Sequence, residues 1–172
     1  MARSKSRGTV MNIRPMQAED WEQVAKIYAD GIANRNATFE TIVPSWDYWD
    51  DKHLDIGRLV AEDNDSILGW IALSAVSHRD VYRGVVEDTI YIASDAQGKG
   101  VGSVLMQVMI AETEKAGIWS IMAVTFEENK ASIALHSKFG FRMVGYRERI
   151  AKLEGIWRNT VIMERRSKVV GK

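Results

Sequence analysis

The chain has 172 residues, 23 Lys and Arg against 23 Asp and Glu, no cysteine and three histidines. That length suits one domain with a full core, and the balanced charge gives no pull toward nucleic acid or an anionic membrane surface. Lack of cysteine excludes disulfides, thiolate metal sites and a Cys nucleophile, and His53, His78 and His136 are too scattered to make a ligand pair, so no metal is expected. No apolar run is long enough to span a bilayer and no secretory segment is read, which makes the cytoplasm the expected location.

Residues 1–10 are basic, serine-containing and aperiodic. They read as a flexible tail, with Met11 as an alternative start. One domain is expected over 11–166 and a short C-terminal tail over 167–172. Met11 to Met16 reads as a first strand ending near Pro15. Trp21, Val24, Ala25, Tyr28 and Ile32 then fall on one helical face. Asn34 to Pro44 is polar and irregular, with Phe39 isolated inside it. Ser45 can cap a second helix carrying Trp46, Trp49 and Leu54. Two tryptophans this close fit core packing; a lid over an aromatic-lined pocket is the alternative.

Arg58 to Glu62 and Ser66 to Val76 form a hairpin through a turn at Asn64-Asp65. A loop over 77–84 leads to a strand, Val85 to Ala93, which carries the carboxylates Glu87 and Asp88. The next helix shows Val101, Val104, Leu105, Val108 and Ala111 on one face and stops at Gly117. Ile118 to Thr125 is a strand. Asn129 opens a helix with Ala131, Ala134, Leu135 and Lys138 along one side and Gly140 as its stop. Two last strands, Phe141 to Ile150 and Trp157 to Glu164, meet at a turn around Glu154-Gly155.

The helix between the Glu87 strand and the strand after Gly117 makes a βαβ unit, so those two strands are expected to be parallel. The earlier hairpin is antiparallel. The expected fold is α/β in the α+β sense: a mostly antiparallel mixed sheet with a central parallel βαβ unit and helices on both faces.

Gln97-Gly98-Lys99-Gly100-Val101-Gly102 lies between that strand and the helix. Backbone N–H groups of such a turn, aided by the helix dipole, suit phosphate. A P-loop would need Ser or Thr after Lys99, where Gly100 stands. A dinucleotide fingerprint would need glycine where Ser103 stands. The pattern Gln/Arg-x-x-Gly-x-Gly/Ala is met in full.

That pattern, after a strand and opening a helix, resembles motif A of the GNAT superfamily of N-acetyltransferases, and the likeness runs from Ile13 to Met163. Ile13-Arg14-Pro15, Asn36 to Thr41, Tyr82-Arg83-Gly84, Val86 to Ile92, Ala131-Ser132, His136 and Gly155-Ile156-Trp157 are similar to the phosphinothricin and methionine sulfoximine N-acetyltransferase branch. Asp88 and Asn159 depart from it, since the branch often has His and Asp there.

The resemblance implies acetyl-CoA as co-substrate. Its pyrophosphate would lie on Gln97, Gly98, Lys99, Gly100, Val101 and Gly102. Its pantetheine arm would pair with Ile90, Tyr91 and Ile92, and Asn129 and Ser132 would hold the arm from the other side. The bland alternative for Asn129 is a helix N-cap. Glu87 is the candidate base, because a carboxylate on a largely apolar strand has a raised pKa and an acceptor amine must lose a proton. Asp88 points to the opposite face by strand alternation and has no role in this reading. His136 stands where many relatives carry a Tyr proposed to protonate the departing thiolate. Arg83 is the candidate partner of an amino-acid carboxylate. Tyr28, Phe39, Glu40, Tyr82 and Trp157 are candidates for the acceptor pocket, while His53 and His78 are expected to be solvated.

The expected function is transfer of acetyl, in a ternary complex, to the amine of a small amino-acid-like molecule such as phosphinothricin, methionine sulfoximine or methionine sulfone. The branch implies a homodimer. A polyamine, an aminoglycoside or a protein N-terminus is the alternative acceptor, and a non-catalytic acyl-CoA sensor is the alternative from another class.

Overall fold

The computed structural model describes residues 11–172, so the expected N-terminal tail lies outside the described residues. The strands are β1 (Asn12–Pro15), β2 (Leu59–Asp63), β3 (Ser66–Ala75), β4 (Val85–Ile92), β5 (Ser120–Phe126), β6 (Arg142–Leu153) and β7 (Ile156–Arg166). The helices are α1 (Trp21–Ala33), α2 (Trp46–Lys52), α3 (Val101–Lys115) and α4 (Lys130–Lys138). The strands form one sheet in the order β1-β2-β3-β4-β5-β7-β6. Every neighbouring pair is antiparallel except β4 and β5. The expected mixed sheet with a βαβ unit at its centre is therefore present.

Turn chemistry fixes the connections. Asn64 and Asp65 both have positive φ, 48° and 66°, which closes the β2–β3 hairpin with the twist its strands need. Ser45 caps α2 by accepting a hydrogen bond from the N–H of Tyr48, and Asn129 caps α4 by accepting one from the N–H of Ser132. At β1, Arg14 ties the strand to its surroundings, donating to Asp20 and to Glu62, each at 2.8 Å.

One core lies between the sheet and α3, around Leu59, Ile71, Leu73, Val86, Leu105 and Met109. A second lies on the opposite face under α1 and α2, around Val24, Tyr28, Trp49, Trp70 and Tyr91. Trp49 thus packs in the core, as its closeness to Trp46 suggested.

Two helical faces differ from expectation. On α3 the buried set is Val101, Leu105, Met106, Met109 and Ile110, while Val104 and Ala111 are exposed. The first turns of this helix carry apolar residues in close succession, Val104-Leu105-Met106 and Val108-Met109-Ile110-Ala111, so more than one phase offers an apolar face and the sequence did not determine which one faced inward. On α4, Ala131, Ala134 and Lys138 are exposed and the buried residue is His136. A polar partner waiting on the sheet reverses that preference.

The expected C-terminal tail is held at its base. The N–H of Ser167 donates to the Trp119 carbonyl at 2.9 Å and its hydroxyl donates to Glu114 at 2.9 Å. Among the described residues, no helix is long and apolar enough to cross a membrane.

Candidate active site

The β4–β5 ladder has three rungs: Val85 to Ser120, Val86 to Ile121 and Glu87 to Met122. Beyond Glu87, β4 stays paired with β3 as far as Ile92, and β5 stays paired with β7 as far as Phe126. Between the two strands no further rung forms. Their inner edges diverge into a cleft of about 1060 Å³. The peptide groups of Asp88 to Ile92 and Ala123 to Phe126 border it, a backbone edge that an extended ligand can pair with as an added strand.

Glu87 stands on the last rung at the head of this cleft. Its side chain leaves β4 on the α1/α2 face and is half-buried. Burial pushes its pKa above the ordinary carboxylate value, the charge of Asp88 adds to this, and Arg147 opposes it. A carboxylate tuned upward at a cleft head is suited to accept a proton.

Asp88 leaves the strand on the α3/α4 face, as alternation requires, and there it has a partner that sequence reasoning missed. Its carboxylate lies 2.9 Å and 3.3 Å from Nε2 of His136, with both side chains almost wholly buried. Nδ1 of His136 is 2.7 Å from the Ser132 carbonyl. Burial alone would lower the His136 pKa. The charge and hydrogen bond of Asp88, with the Ser132 carbonyl, outweigh it and raise the pKa. An acidic residue after Glu87 and a histidine on a helix carried no mutual signal, because 48 residues separate them.

The glycine turn closes one end of the cleft. Gly98 and Gly100 have φ of 72° and 85°, a region that L side chains enter only with strain. A Cβ at either position would meet no protein atom, so the surface outside them is clear for a ligand. Gly100 is the N-cap of α3, and the first N–H groups of that helix point outward from the turn. Gln97, Gly98, Gly100, Val101 and Gly102 border the cleft, but Lys99 does not. Ile90, Tyr91 and Ile92 border it from β4, and Asn129 and Ser132 border it from the start of α4.

The other end is walled by residues of the α1–α2 loop. Phe39 meets Phe126 edge-on at 4.8 Å, and the Arg158 guanidinium lies 4.0 Å from the Phe126 ring centre. Tyr28 and Glu40 also border this end. Burial, with the nearby Glu40 charge, pushes the Tyr28 hydroxyl up to about 12, against the effect of the Thr38 hydroxyl. Thr160 was not foreseen. Its hydroxyl is buried at the cleft wall without a hydrogen-bond partner among the described residues.

Three expected pocket residues lie elsewhere. Arg83 pairs with Asp80 at 3.3 Å and covers the Trp119 ring. Tyr82 is exposed beside it, and Trp157 is exposed at the start of β7 under Lys152. Proximity in sequence to Glu87 misled for the first two, because the loop turns outward before β4 begins. His53 is the reverse case. Expected in solvent, it borders the cleft and stacks on Trp49 at 4.1 Å, with Nδ1 2.6 Å from the Trp49 carbonyl. His78 does not border the cleft. Among the described residues no group of three His, Cys, Asp or Glu is arranged to hold a metal.

The sequence pattern of the Acetyltransferase (GNAT) family matches residues 18–141. The chain belongs to the GNAT family. A phosphinothricin N-acetyltransferase of Alcaligenes faecalis is 34% identical over 165 residues, covering 89% of this chain and 81% of that protein. An L-methionine sulfoximine/L-methionine sulfone acetyltransferase of Pseudomonas paraeruginosa is 30% identical, covering 89% and 92%. Among solved structures, a GNAT superfamily phosphinothricin acetyltransferase from Sinorhizobium meliloti, in complex with acetyl-CoA, superposes with a TM-score of 0.82 at 28% identity, covering 91% of this chain and 88% of that one.

Proposed function

We propose that this GNAT protein transfers acetyl from acetyl-CoA to the primary amine of a small amino-acid-like molecule of the phosphinothricin, methionine sulfoximine or methionine sulfone type. The observation that carries this is the three-rung parallel ladder that ends at Glu87 and opens toward the glycine turn. The cleft fits the co-substrate in two independent ways. Its glycine turn leaves open space where an anion can approach the N–H groups. Its bordering strands leave a backbone edge for an extended, amide-bearing arm. Acetyl-CoA supplies an acyl group already activated as a thioester.

Glu87 takes the proton of the acceptor amine, directly or through water, and its raised pKa lets it do so near neutral pH. The chain has no cysteine, and the Ser132 hydroxyl 3.3 Å from Nδ1 of His136 meets a nitrogen that donates to the Ser132 carbonyl at 2.7 Å and so cannot act as its base; the amine attacks the thioester carbon itself, in a ternary complex. The N–C bond forms, the C–S bond breaks with its electron pair going to sulfur, and the sulfur takes a proton. His136 supplies that proton. Phe39, Phe126 and Tyr28 wall the acceptor end. Arg147, whose charge is felt at Glu87, gives that region a cation suited to an acceptor carboxylate.

The protein works as a homodimer in this reading. The β6–β7 hairpin exposes Met143, Tyr146, Ile150, Ile156 and Trp157 on one arm of the fold, a surface that a second copy would cover. In this reading the reaction takes place in the cytoplasm, a compartment that suits a chain without disulfides. The deciding experiment is CoA-thiol release from acetyl-CoA with phosphinothricin, methionine sulfoximine, methionine sulfone, free amino acids, polyamines, aminoglycosides and peptides. Turnover concentrated in the first three supports the reading. Turnover with a polyamine or peptide alone moves the acceptor class. Tight acetyl-CoA binding without any turnover leaves a sensor.

A further inference from the structure

Both ring nitrogens of His136 face acceptors. Nδ1 lies 2.7 Å from the Ser132 carbonyl, which can only accept, so Nδ1 carries a hydrogen. Nε2 lies 2.9 Å and 3.3 Å from the two oxygens of Asp88. A neutral ring protonated at Nδ1 would turn its Nε2 lone pair toward an ionised carboxylate, in a site where the two side chains are 3% and 1% exposed. Desolvation makes that contact costly. The pair therefore holds one proton more than a neutral imidazole beside a carboxylate.

Among the described residues no competing charge meets the ring. Asp88 is the charged group against it from β4, and Glu87 sends its side chain to the other face of that strand. Phe141 stands edge-on at 4.9 Å from the C-terminal side of α4. The Ser132 hydroxyl is 3.3 Å from Nδ1. The α4 cations turn elsewhere, Lys130 donating to the Glu127 carbonyl at 2.6 Å and Lys138 to the Ser103 hydroxyl at 2.9 Å.

The pair also spans the cleft. Asp88 belongs to β4 just past the last parallel rung, and His136 belongs to the helix that follows β5. It joins the two arms at the point where the backbone ladder stops joining them.

We infer that Asp88 is a positioning residue: it holds His136 as a doubly protonated ring at the wall of the cleft and so keeps one proton stored for the departing sulfur. This rests on the proposed role of His136. When the C–S bond breaks and the electron pair goes to sulfur, the stored proton passes from the pair to that sulfur. The ring is left with its Nδ1 hydrogen and an Nε2 lone pair facing Asp88, an arrangement that regains a proton from solvent before the next turnover.

The test is ¹⁵N NMR of histidine-labelled full-length protein, with His136 assigned from the loss of its signals in His136→Phe. The expected result is protonated-type shifts for both ring nitrogens at a pH above the ordinary histidine pKa. In Asp88→Asn the ring should lose its second proton at that pH. The alkaline limb of kcat should move down by about one pH unit or more, with the KM for acetyl-CoA within about twofold. A singly protonated ring in the unmodified protein overturns the inference, and needs no variant to fold. So does an Asp88→Asn enzyme with an unshifted kcat profile. Full activity in His136→Phe, with the NMR result as expected, removes His136 as the acid while leaving Asp88 as the group that holds its proton.

Discussion

Glu87 and Met122 form the last rung of the parallel ladder, and every feature of the cleft is placed relative to that rung. One residue further along β4 there is no partner strand on that side. A carboxylate at this position sits between packed sheet and open cleft, which is why it is half-buried and still able to reach a ligand.

Replacing Glu87 by Gln removes the proton acceptor and keeps the shape. Turnover should fall by about 10²- to 10⁴-fold, the usual contribution of a positioned general base. The KM for acetyl-CoA should stay near its original value. In the unmodified enzyme kcat/KM should be lost as pH falls through the raised Glu87 pKa, and this acid limb should vanish in the variant. Stability should move the other way. A carboxyl whose folded pKa is raised adds stability below its unfolded pKa, and that contribution disappears as pH rises through the folded value. At neutral pH the charge is a burden, so Glu87→Gln should melt no lower than the parent. Steady-state kinetics and a thermal melt check both halves.

The glycine turn separates backbone strain from ligand contact. Gly100→Ala places a Cβ at φ 85° in open space, so the fold bears only the left-handed strain of about 1–2 kcal/mol. The ligand side bears the rest. We expect the KM for acetyl-CoA to rise by about tenfold or more with a modest fall in Tm. Lys99→Ala, outside the cleft border, should change that KM by less than about threefold. Isothermal titration with CoA gives the same comparison without turnover.

Phe39 and Phe126 predict a clean split between the two substrates. Their edge-on contact holds the α1–α2 loop against β5 at the acceptor end. Aromatic pairs of this kind are worth about 0.5–1.5 kcal/mol beyond buried area. Phe39→Ala should raise the KM of the amine by roughly tenfold and leave that of acetyl-CoA unchanged. An equal rise in both would place Phe39 in general folding and not in the acceptor wall.

Asn159 explains its own departure from the branch. Its Nδ2 donates to Glu127 at 2.7 Å, and its Oδ1 accepts from the N–H of Arg149 at 2.7 Å. Only an amide serves both. The contact with Asn159 is the largest cause holding the Glu127 carboxyl below its ordinary pKa, with Tyr146 adding to it. Asn159→Asp would set two carboxylates together, so Tm should drop at pH 8 and recover toward the parent as pH falls far enough to protonate one of them. Melts across that range test it, and an equal deficit at every pH would overturn the charge argument.

The sequence by itself determined the elements that local chemistry dictates. Asn64-Asp65, Ser45, Asn129 and the glycines at 98, 100, 117 and 140 act through their own backbone and near neighbours, so their positions mark turns, caps and stops directly. The βαβ unit followed from those marks, and with it the cleft between Glu87 and the glycine turn. Tertiary structure decided what long-range packing alone can decide. It chose the buried phase of α3, whose runs at 104–106 and 108–111 offer more than one apolar face, because other elements select among such faces. It brought Asp88 to His136, turned Arg83 and Tyr82 away from the cleft, and drew His53 toward it. Each of these depends on where two distant segments meet, and a carboxylate or a ring in sequence carries no record of the partner that will face it.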